Sequence, residues 1–188
     1  MTKRIFDIFV SLFAILILSW LIVFFWILAA FSTQSGGIFM QKRVGQGGRL
    51  FWIFKLRTIK KQTNEIDRLG DFLRRNKIDE LPQLFNVLIG NMSMVGPRPD
   101  IPGYYDLLKG NDRKILDLKP GITGPASLKY ANEEQILAHQ QHPLRYNDEV
   151  IFPDKIRINI QYQQKQSFWL DIKIIIYTIF GKKLDTYF

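Results

Sequence analysis

The chain contains no cysteine. Disulfides and thiolate metal sites are thereby excluded, and the composition fits a reducing compartment. Histidine is scarce as well: His139 and His142 are the only two, three residues apart among polar neighbours. Without a third ligand nearby they read as surface residues, not as a metal site. No charged residue and no proline occur from Ile8 to Phe31. Internal repeats and low-complexity tracts are lacking too. Acidic residues are outnumbered, with 17 Asp and Glu against 26 Lys and Arg, a net charge of +9. Such a balance points to anionic partners: nucleic acid, anionic lipid or phosphorylated substrates. A length of 188 residues allows one domain with a real core.

The uncharged stretch is long enough to cross a bilayer core of about 30 Å at about 1.5 Å per residue. It is too long for a cleaved signal peptide, and no small-residue cleavage site follows it. Both flanks are basic: Lys3 and Arg4 precede it, and Lys42, Arg43, Arg49, Lys55, Arg57, Lys60 and Lys61 follow. Lys and Arg favour the cytoplasmic side. A spanning helix leaves one basic cluster outside. A helix that dips into one leaflet and returns keeps both inside, provided the broken backbone bonds are satisfied within the protein. Ser19 can help there by bonding a carbonyl one turn earlier, which bends helices.

Ile38–Val44 and Arg49–Leu56 are short runs of aromatic and β-branched residues on either side of Gly45-Gln46-Gly47-Gly48. The pattern predicts a β-hairpin, and the glycines lack the Lys-Ser/Thr ending of a phosphate loop. Alternation puts Leu50, Trp52, Phe54 and Leu56 on one face and Phe51, Ile53, Lys55 and Arg57 on the other. Lys55 and Arg57 then project together, toward anionic head groups or a substrate phosphate.

A short helix with Leu69, Phe72 and Leu73 on its apolar face follows, ended by Arg74 and Arg75. Basic residues suit a helix C-terminus, and these two stand close to Asp79-Glu80-Leu81-Pro82-Gln83-Leu84. That hexapeptide reads as the start of a further helix. Asp79 is its N-cap and Pro82 lies in the first turn. Leu81, Leu84, Phe85 and Leu88 recur at helical spacing, and Gly90 ends the run. The positive end of such a helix keeps Asp79 ionised, and its free N–H groups can hold a phosphate. An ionised carboxylate there can be a nucleophile or a metal ligand. Acidic residues also cap helices without any chemistry. Further on, prolines flank Arg98 in Gly96-Pro97-Arg98-Pro99 and restrict the backbone. A stiff loop suits an arginine that clamps phosphate oxygens in bidentate fashion and stays charged at any working pH.

Together these stretches resemble the bacterial sugar transferase family, the monotopic phosphoglycosyl transferases. The matching residues run in order along nearly the whole chain: Lys3-Arg4 and Asp7, then Phe39, Gln41, Arg43 and Gly45, then Lys55-Leu56-Arg57-Thr58 and Leu73-Arg74. Asp79 through Leu88, Met92-Ser93, Gly96 through Pro99, and Pro120-Gly121-Ile122-Thr123-Gly124 complete the set. The resemblance implies an α+β, mainly helical fold with a small β-hairpin. Residues 1–36 would form a re-entrant membrane helix. Residues 37–188 would form a compact catalytic domain on the cytoplasmic face of the bacterial inner membrane. The implied reaction moves a sugar-1-phosphate from a UDP-sugar to polyprenol (undecaprenyl) phosphate, releases UMP and initiates glycan assembly. Asp79 would attack the sugar-linked phosphorus to give a covalent phosphosugar-aspartyl intermediate, with Glu80 assisting. Magnesium would neutralise the diphosphate, with Asp79 as its contact. Lys55, Arg57, Arg74 and Arg98, the last between Pro97 and Pro99, would surround the substrate phosphates. The chain departs from the family pattern in three places. Ser19-Trp20 stands where Ser-Pro is usual, Asn91 replaces an aspartate, and residues 125–153 differ from the shorter segment of small members.

The C-terminal third is less informative. Pro120–Pro125 reads as a rigid turn that lines a nucleotide pocket or merely connects elements. Asp154–Gln166 reads as a polar helix, with Arg157 and Tyr162 as candidates to face the site. From Ser167 to Phe180 the chain is apolar apart from Asp171 and Lys173, and Lys182-Lys183 end the run. It is too short to span a membrane and is expected to be part core, part membrane surface. A membrane-anchored basic binding protein without chemistry is the alternative. It accounts for the charge and the apolar ends, but not for the acidic pair or Pro97-Arg98-Pro99. No nucleic-acid motif is present, so membrane lipids, not nucleic acid, are the expected macromolecular surface.

Overall fold

The computed structural model describes residues 2–182; Lys183, read above as part of the basic end of the last helix, lies outside them. The architecture is α+β and mostly helical. It divides into two compact units, residues 1–43 with 50–92 and residues 44–49 with 93–188.

The first unit opens with α1 (Thr2–Thr33), which has no internal glycine or proline to break it. Among the described residues it is the one helix long and apolar enough to cross a membrane, with a mean hydropathy of 2.9 over its most apolar window. Asp7, Ser11, Ile22, Ala29 and Thr33 are buried along it, while Phe9, Phe13, Leu16, Trp20 and Phe31 face outward. Ser19 Oγ donates to Leu16 O at 3.1 Å, one turn back as anticipated. The helix nevertheless continues through this point. Trp20 keeps the N–H that a proline would remove, so the hydrogen-bond ladder is not interrupted.

β1 (Ile38–Val44) and β2 (Leu50–Leu56) pair as the predicted hairpin, with Arg57 N donating to Gly37 O at 2.8 Å across its base. Ile53 and Leu56, placed by alternation on opposite faces, are both buried. β2 packs against α1 and against the helix that follows the acidic pair as well as against β1, so it is covered from more than one side. α2 (Arg68–Arg75) is capped by Asp67, whose Oδ1 accepts from Gly70 N at 2.8 Å. The other carboxylate oxygen accepts from Ser32 Oγ and so ties α2 to the end of α1. α3 (Gln83–Ile89) ends at Gly90, whose φ of +96° is left-handed and needs glycine. Arg4 donates to Val87 O at 2.6 Å and to Leu88 O at 2.7 Å. Val87 O also accepts from Gly90 N at 3.0 Å, so the start of α1 joins Gly90 in capping the end of α3.

In the second unit β3 (Ser93–Val95) runs parallel to β4 (Gly121–Thr123), with Ser93 opposite Gly121 and Val95 opposite Thr123. The two segments cross at glycines. A Cβ on Gly121 would sit 2.1 Å from Gly96 N, and one on Gly96 would sit 2.2 Å from Lys119 O. Pro120–Gly124 is therefore neither a free turn nor a simple connector. It braces the arginine loop through Ser93 N to Pro120 O at 2.8 Å, Gly96 N to Thr123 O at 2.9 Å and Gly121 N to Pro97 O at 2.8 Å. Short helices α4 (Pro125–Lys129), α5 (Glu133–Ala138) and α6 (Pro143–Tyr146) lead to α7 (Phe152–Lys165) and α8 (Phe168–Ile179). Val44, Tyr105, Ile115, Leu116 and Ile156 form a core cluster. Tyr162, a candidate to face the site, is instead fully buried, and its hydroxyl donates to Asp171 Oδ1 at 2.5 Å. Arg157 pairs with Asp154 at 2.5 Å on the surface. His139 and His142 are exposed, as the sequence suggested. Ser167 caps α8, which buries Asp171 and Ile174 and exposes Phe168, Trp169, Ile176 and Ile179.

Candidate active site

Asp79 and Glu80 lie in a single 3-10 turn, Ile78–Glu80, ahead of α3. The helix does not begin at Asp79 as its spacing suggested; it begins at Gln83, and Asp79 makes no capping bond. Between Ile78 and Leu81 the chain keeps a 3-10 spacing in place of the α-helical one. Tighter bonds serve instead: Glu80 N to Lys77 O and Leu81 N to Ile78 O, each 3.2 Å.

Both carboxylates are buried, with 7% of Asp79 and 9% of Glu80 exposed. The helix field therefore does not govern Asp79. Burial is the largest influence on its carboxyl and the Glu80 charge adds to it, which raises the pKa to about 6. Lys55, Lys77 and Arg74 pull in the opposite direction. The group is thus ionised at neutral pH yet poorly solvated. Lys55 Nζ lies 3.1 Å from Glu80 Oε1, so this lysine neutralises the neighbouring acid. Asp79 Oδ1 is buried and has no hydrogen-bond partner. A charged oxygen without a donor in a dry site is available for bonding to phosphorus or to a cation.

Asn86 fixes the surroundings of this pair. Its side chain is buried, with Oδ1 accepting from Phe54 N at 3.0 Å and Nδ2 donating to Trp52 O at 2.7 Å. One amide thereby locks α3 against β2, the strand that carries Lys55. The Asn86 carbonyl also accepts from the N–H groups of Gly90, Asn91 and Met92 and closes the end of α3. Arg57 holds its guanidinium 5.4 Å from the centre of the Phe39 ring, and its buried Nε has no hydrogen-bond partner. In the second unit Arg98 is exposed between buried Pro97 and Pro99 on the loop that β4 braces.

The structure therefore gathers Asp79, Glu80, Lys55 and Arg74 in the first unit, with Arg57 on the hairpin base. Pro97, Arg98 and Pro99 form a rigid loop of the second unit. The sequence reading gave no role to Lys77 or Asn86. Lys77 was visible only as one more basic residue before the acidic pair, and Asn86 only as one more position of the motif. Among the described residues no cluster of three or more metal-binding side chains occurs. Magnesium is commonly held by one or two carboxylates together with substrate phosphates. The uncommitted Oδ1 of Asp79 fits that kind of site as its single protein donor.

An ionised, desolvated carboxylate ringed by cations defines a site for chemistry at a phosphate. The bacterial sugar transferase family matches residues 1–182, and the chain belongs to that family. A Bacillus subtilis protein provisionally named as an undecaprenyl-phosphate N-acetylgalactosaminyl 1-phosphate transferase is 40% identical over 136 residues, 60% of this chain and 76% of that protein. A UDP-glucose:undecaprenyl-phosphate glucose-1-phosphate transferase of Xanthomonas campestris pv. campestris is 35% identical over 172 residues, 81% of this chain and 33% of that protein. An Escherichia coli (strain K12) protein of the same name is 30% identical over 195 residues, 95% of this chain and 39% of that protein. The chain thus spans much of the first relative but only 33% and 39% of the other two.

Proposed function

We propose that this chain is a phosphoglycosyl transferase that moves a sugar-1-phosphate from a UDP-sugar to undecaprenyl phosphate and releases UMP. The observation that carries this reading is the unpartnered, buried Oδ1 of Asp79 beside Lys55, Lys77 and Arg74. The names of the relatives supply the substrate classes. Asp79 attacks the sugar-linked phosphorus of the donor. An Asp79–phosphorus bond forms as the bond to the UMP oxygen breaks, and UMP leaves. An oxygen of the polyprenol phosphate then attacks the same phosphorus and displaces the Asp79 carboxylate. A carboxylate needs no base to act as nucleophile, and phosphoryl transfer depends mostly on positioning and charge neutralisation. Glu80 keeps Lys55 in place and shares in accepting charge or protons near the acceptor. Lys55, Arg57, Arg74 and Arg98, with Pro97 and Pro99 stiffening the last, hold substrate phosphates. Asp79 would hold magnesium together with the donor diphosphate, and the ion would supply charge neutralisation there.

In this reading residues 1–36 are the membrane segment and residues 37–188 the catalytic part, on the cytoplasmic face of the inner membrane. A re-entrant course of α1 is supported by its contacts. Arg4 bonds α3 carbonyls, and Ile22 lines a groove with Pro82 and Phe85. In a straight helix residues 4 and 22 are about 27 Å apart, whereas α3 is only about 10 Å long. The exposed Trp169, Ile179 and Phe180 suit a helix lying at a bilayer interface.

The test is UMP release by purified protein with magnesium, undecaprenyl phosphate and a panel of UDP-sugars. Release with one donor is expected, together with a mass increase of one sugar phosphate on the protein when the lipid is withheld. Folded protein that releases no UMP and gains no mass with any donor would remove the proposal.

A further inference from the structure

The first unit carries an apolar groove of about 400 Å³, within the size range of small-molecule sites. Ile22, Val23 and Trp26 of α1 form one wall, Phe54 of β2 another, and Pro82 and Phe85 the end. Val23, Trp26 and Phe85 remain substantially exposed, so the groove is open to the outside. Phe24 and Ile27, next to the first wall, are exposed and apolar. The groove is therefore continuous with the apolar surface of the one helix of membrane length. At its other end Pro82 follows directly on the turn that holds Asp79 and Glu80. An apolar trough that runs from a membrane-length helix to a carboxylate ringed by Lys55, Lys77 and Arg74 is matched by an amphiphile of one kind. That molecule has a branched apolar chain and a phosphate head.

We infer that this groove holds the head-proximal isoprene units of the polyprenol phosphate and so delivers its phosphate to Asp79. The inference rests on the acceptor being a polyprenol phosphate, as proposed for the reaction. Flat, branched isoprene units pack well against the faces of Trp26, Phe54, Pro82 and Phe85. The phosphate then passes Pro82, at the start of α3, toward the cations.

Two measurements test it on the full chain in detergent or nanodiscs. In the first, a prenyl phosphate of three isoprene units with a terminal diazirine is photolysed with the protein, and adducts are mapped by peptide mass spectrometry. Adducts are expected in peptides bearing residues 22–26, 54 and 82–85, removed by undecaprenyl phosphate but not by phosphatidylglycerol. Adducts spread over outward residues such as Phe13 and Phe31, and indifferent to undecaprenyl phosphate, would overturn the inference. They would assign the groove to ordinary bilayer lipid. In the second, Val23→Trp narrows the groove. The KM for the acceptor is expected to rise at least about tenfold, for a short water-soluble prenyl phosphate as well as for undecaprenyl phosphate. UMP released per enzyme in the donor-only burst should stay at the wild-type level. An unchanged acceptor KM, or equal loss in both half-reactions with an unchanged Tm, would overturn it. Wild-type protein that releases no UMP from any donor would instead defeat the transferase reading, and the crosslinking map would still decide the groove.

Discussion

At the scale of single residues, the site depends on a carboxylate that the fold makes uncomfortable. Burial and Glu80 raise the Asp79 pKa to about 6 against an ordinary value of 3.8. A raised carboxyl pKa means that the folded state holds its proton more tightly, so stability falls as pH rises from about 4 through about 6. Asp79→Asn removes that burden. Its Tm should match the wild type near pH 4 and exceed it at pH 7.5, by the equivalent of about 3 kcal/mol. The same variant should lose donor-dependent UMP release by at least about a thousandfold, as expected when a covalent nucleophile is removed. A variant both dead and less stable at pH 7.5 would contradict this account of the site. The first half-reaction should also have an acid limb near pH 6, because only the ionised form attacks. Lys55→Met removes the cation that lowers the Asp79 pKa most, so that limb should move to higher pH. Pre-steady-state UMP bursts between pH 5 and pH 8 read this directly.

At the scale of elements, two junctions hold the site, and they differ in how far the sequence disclosed them. The hairpin was readable because Gly45–Gly48 sits between two β-branched and aromatic runs, and α2 because Arg74 and Arg75 end a short apolar stripe. The start of α3 was misplaced by three residues, from a cap at Asp79 to one at Pro82, since helical spacing does not separate a 3-10 turn from the first turn of an α-helix. The cause that sets the charge of Asp79 was misjudged for a related reason: helix position is a local property, whereas burial comes from β2 and α2 packing around the turn. Asn86 and the Gly96–Gly121 crossing were opaque, because both depend on segments that meet only in three dimensions. Each junction can be broken singly. Asn86→Leu leaves Phe54 N and Trp52 O without partners, an effect of roughly 2–4 kcal/mol. Asn86→Asp keeps the acceptor for Phe54 N and loses the donor to Trp52 O. If Asn86 positions Lys55, the Asp variant should fold and show the displaced acid limb of Lys55→Met. An unchanged pH profile in folded Asn86→Asp would reduce Asn86 to packing. In the second unit Gly121→Ala sets a methyl 2.1 Å from Gly96 N. Backbone atoms cannot yield that far, so a loss of about 3 kcal/mol or more is expected in chemical denaturation, with weakened donor binding through Arg98.

At the scale of the whole molecule, the net charge of +9 and the one membrane-length helix among the described residues bear on how the protein would meet the lipid acceptor proposed for it. Lys3 and Arg4 lie before the uncharged stretch and a larger basic group lies after it, so topology cannot be decided by one flank winning over the other. Arg4 offers a structural reason for both flanks to share a side. Its guanidinium is engaged by the Val87 and Leu88 carbonyls of α3, two helical turns from the turn that holds Asp79. A spanning α1 would have to pull Arg4 away from α3 and lose both of these bonds. The absence of cysteine makes the question direct, because every thiol introduced is the only one. Thr2→Cys and Gln62→Cys place single thiols at exposed positions on opposite sides of the apolar stretch. With a membrane-impermeant maleimide, both should be labelled in inverted inner-membrane vesicles and neither in spheroplasts. Labelling of Thr2→Cys in spheroplasts and of Gln62→Cys in inverted vesicles would mean a spanning helix. Arg4→Ala adds the link to activity. If the α1–α3 cap holds the site together, this variant should keep the wild-type labelling pattern on short exposure and lose several-fold in the donor half-reaction. An Arg4→Ala enzyme with a full donor burst would show that α1 anchors the catalytic unit without shaping it.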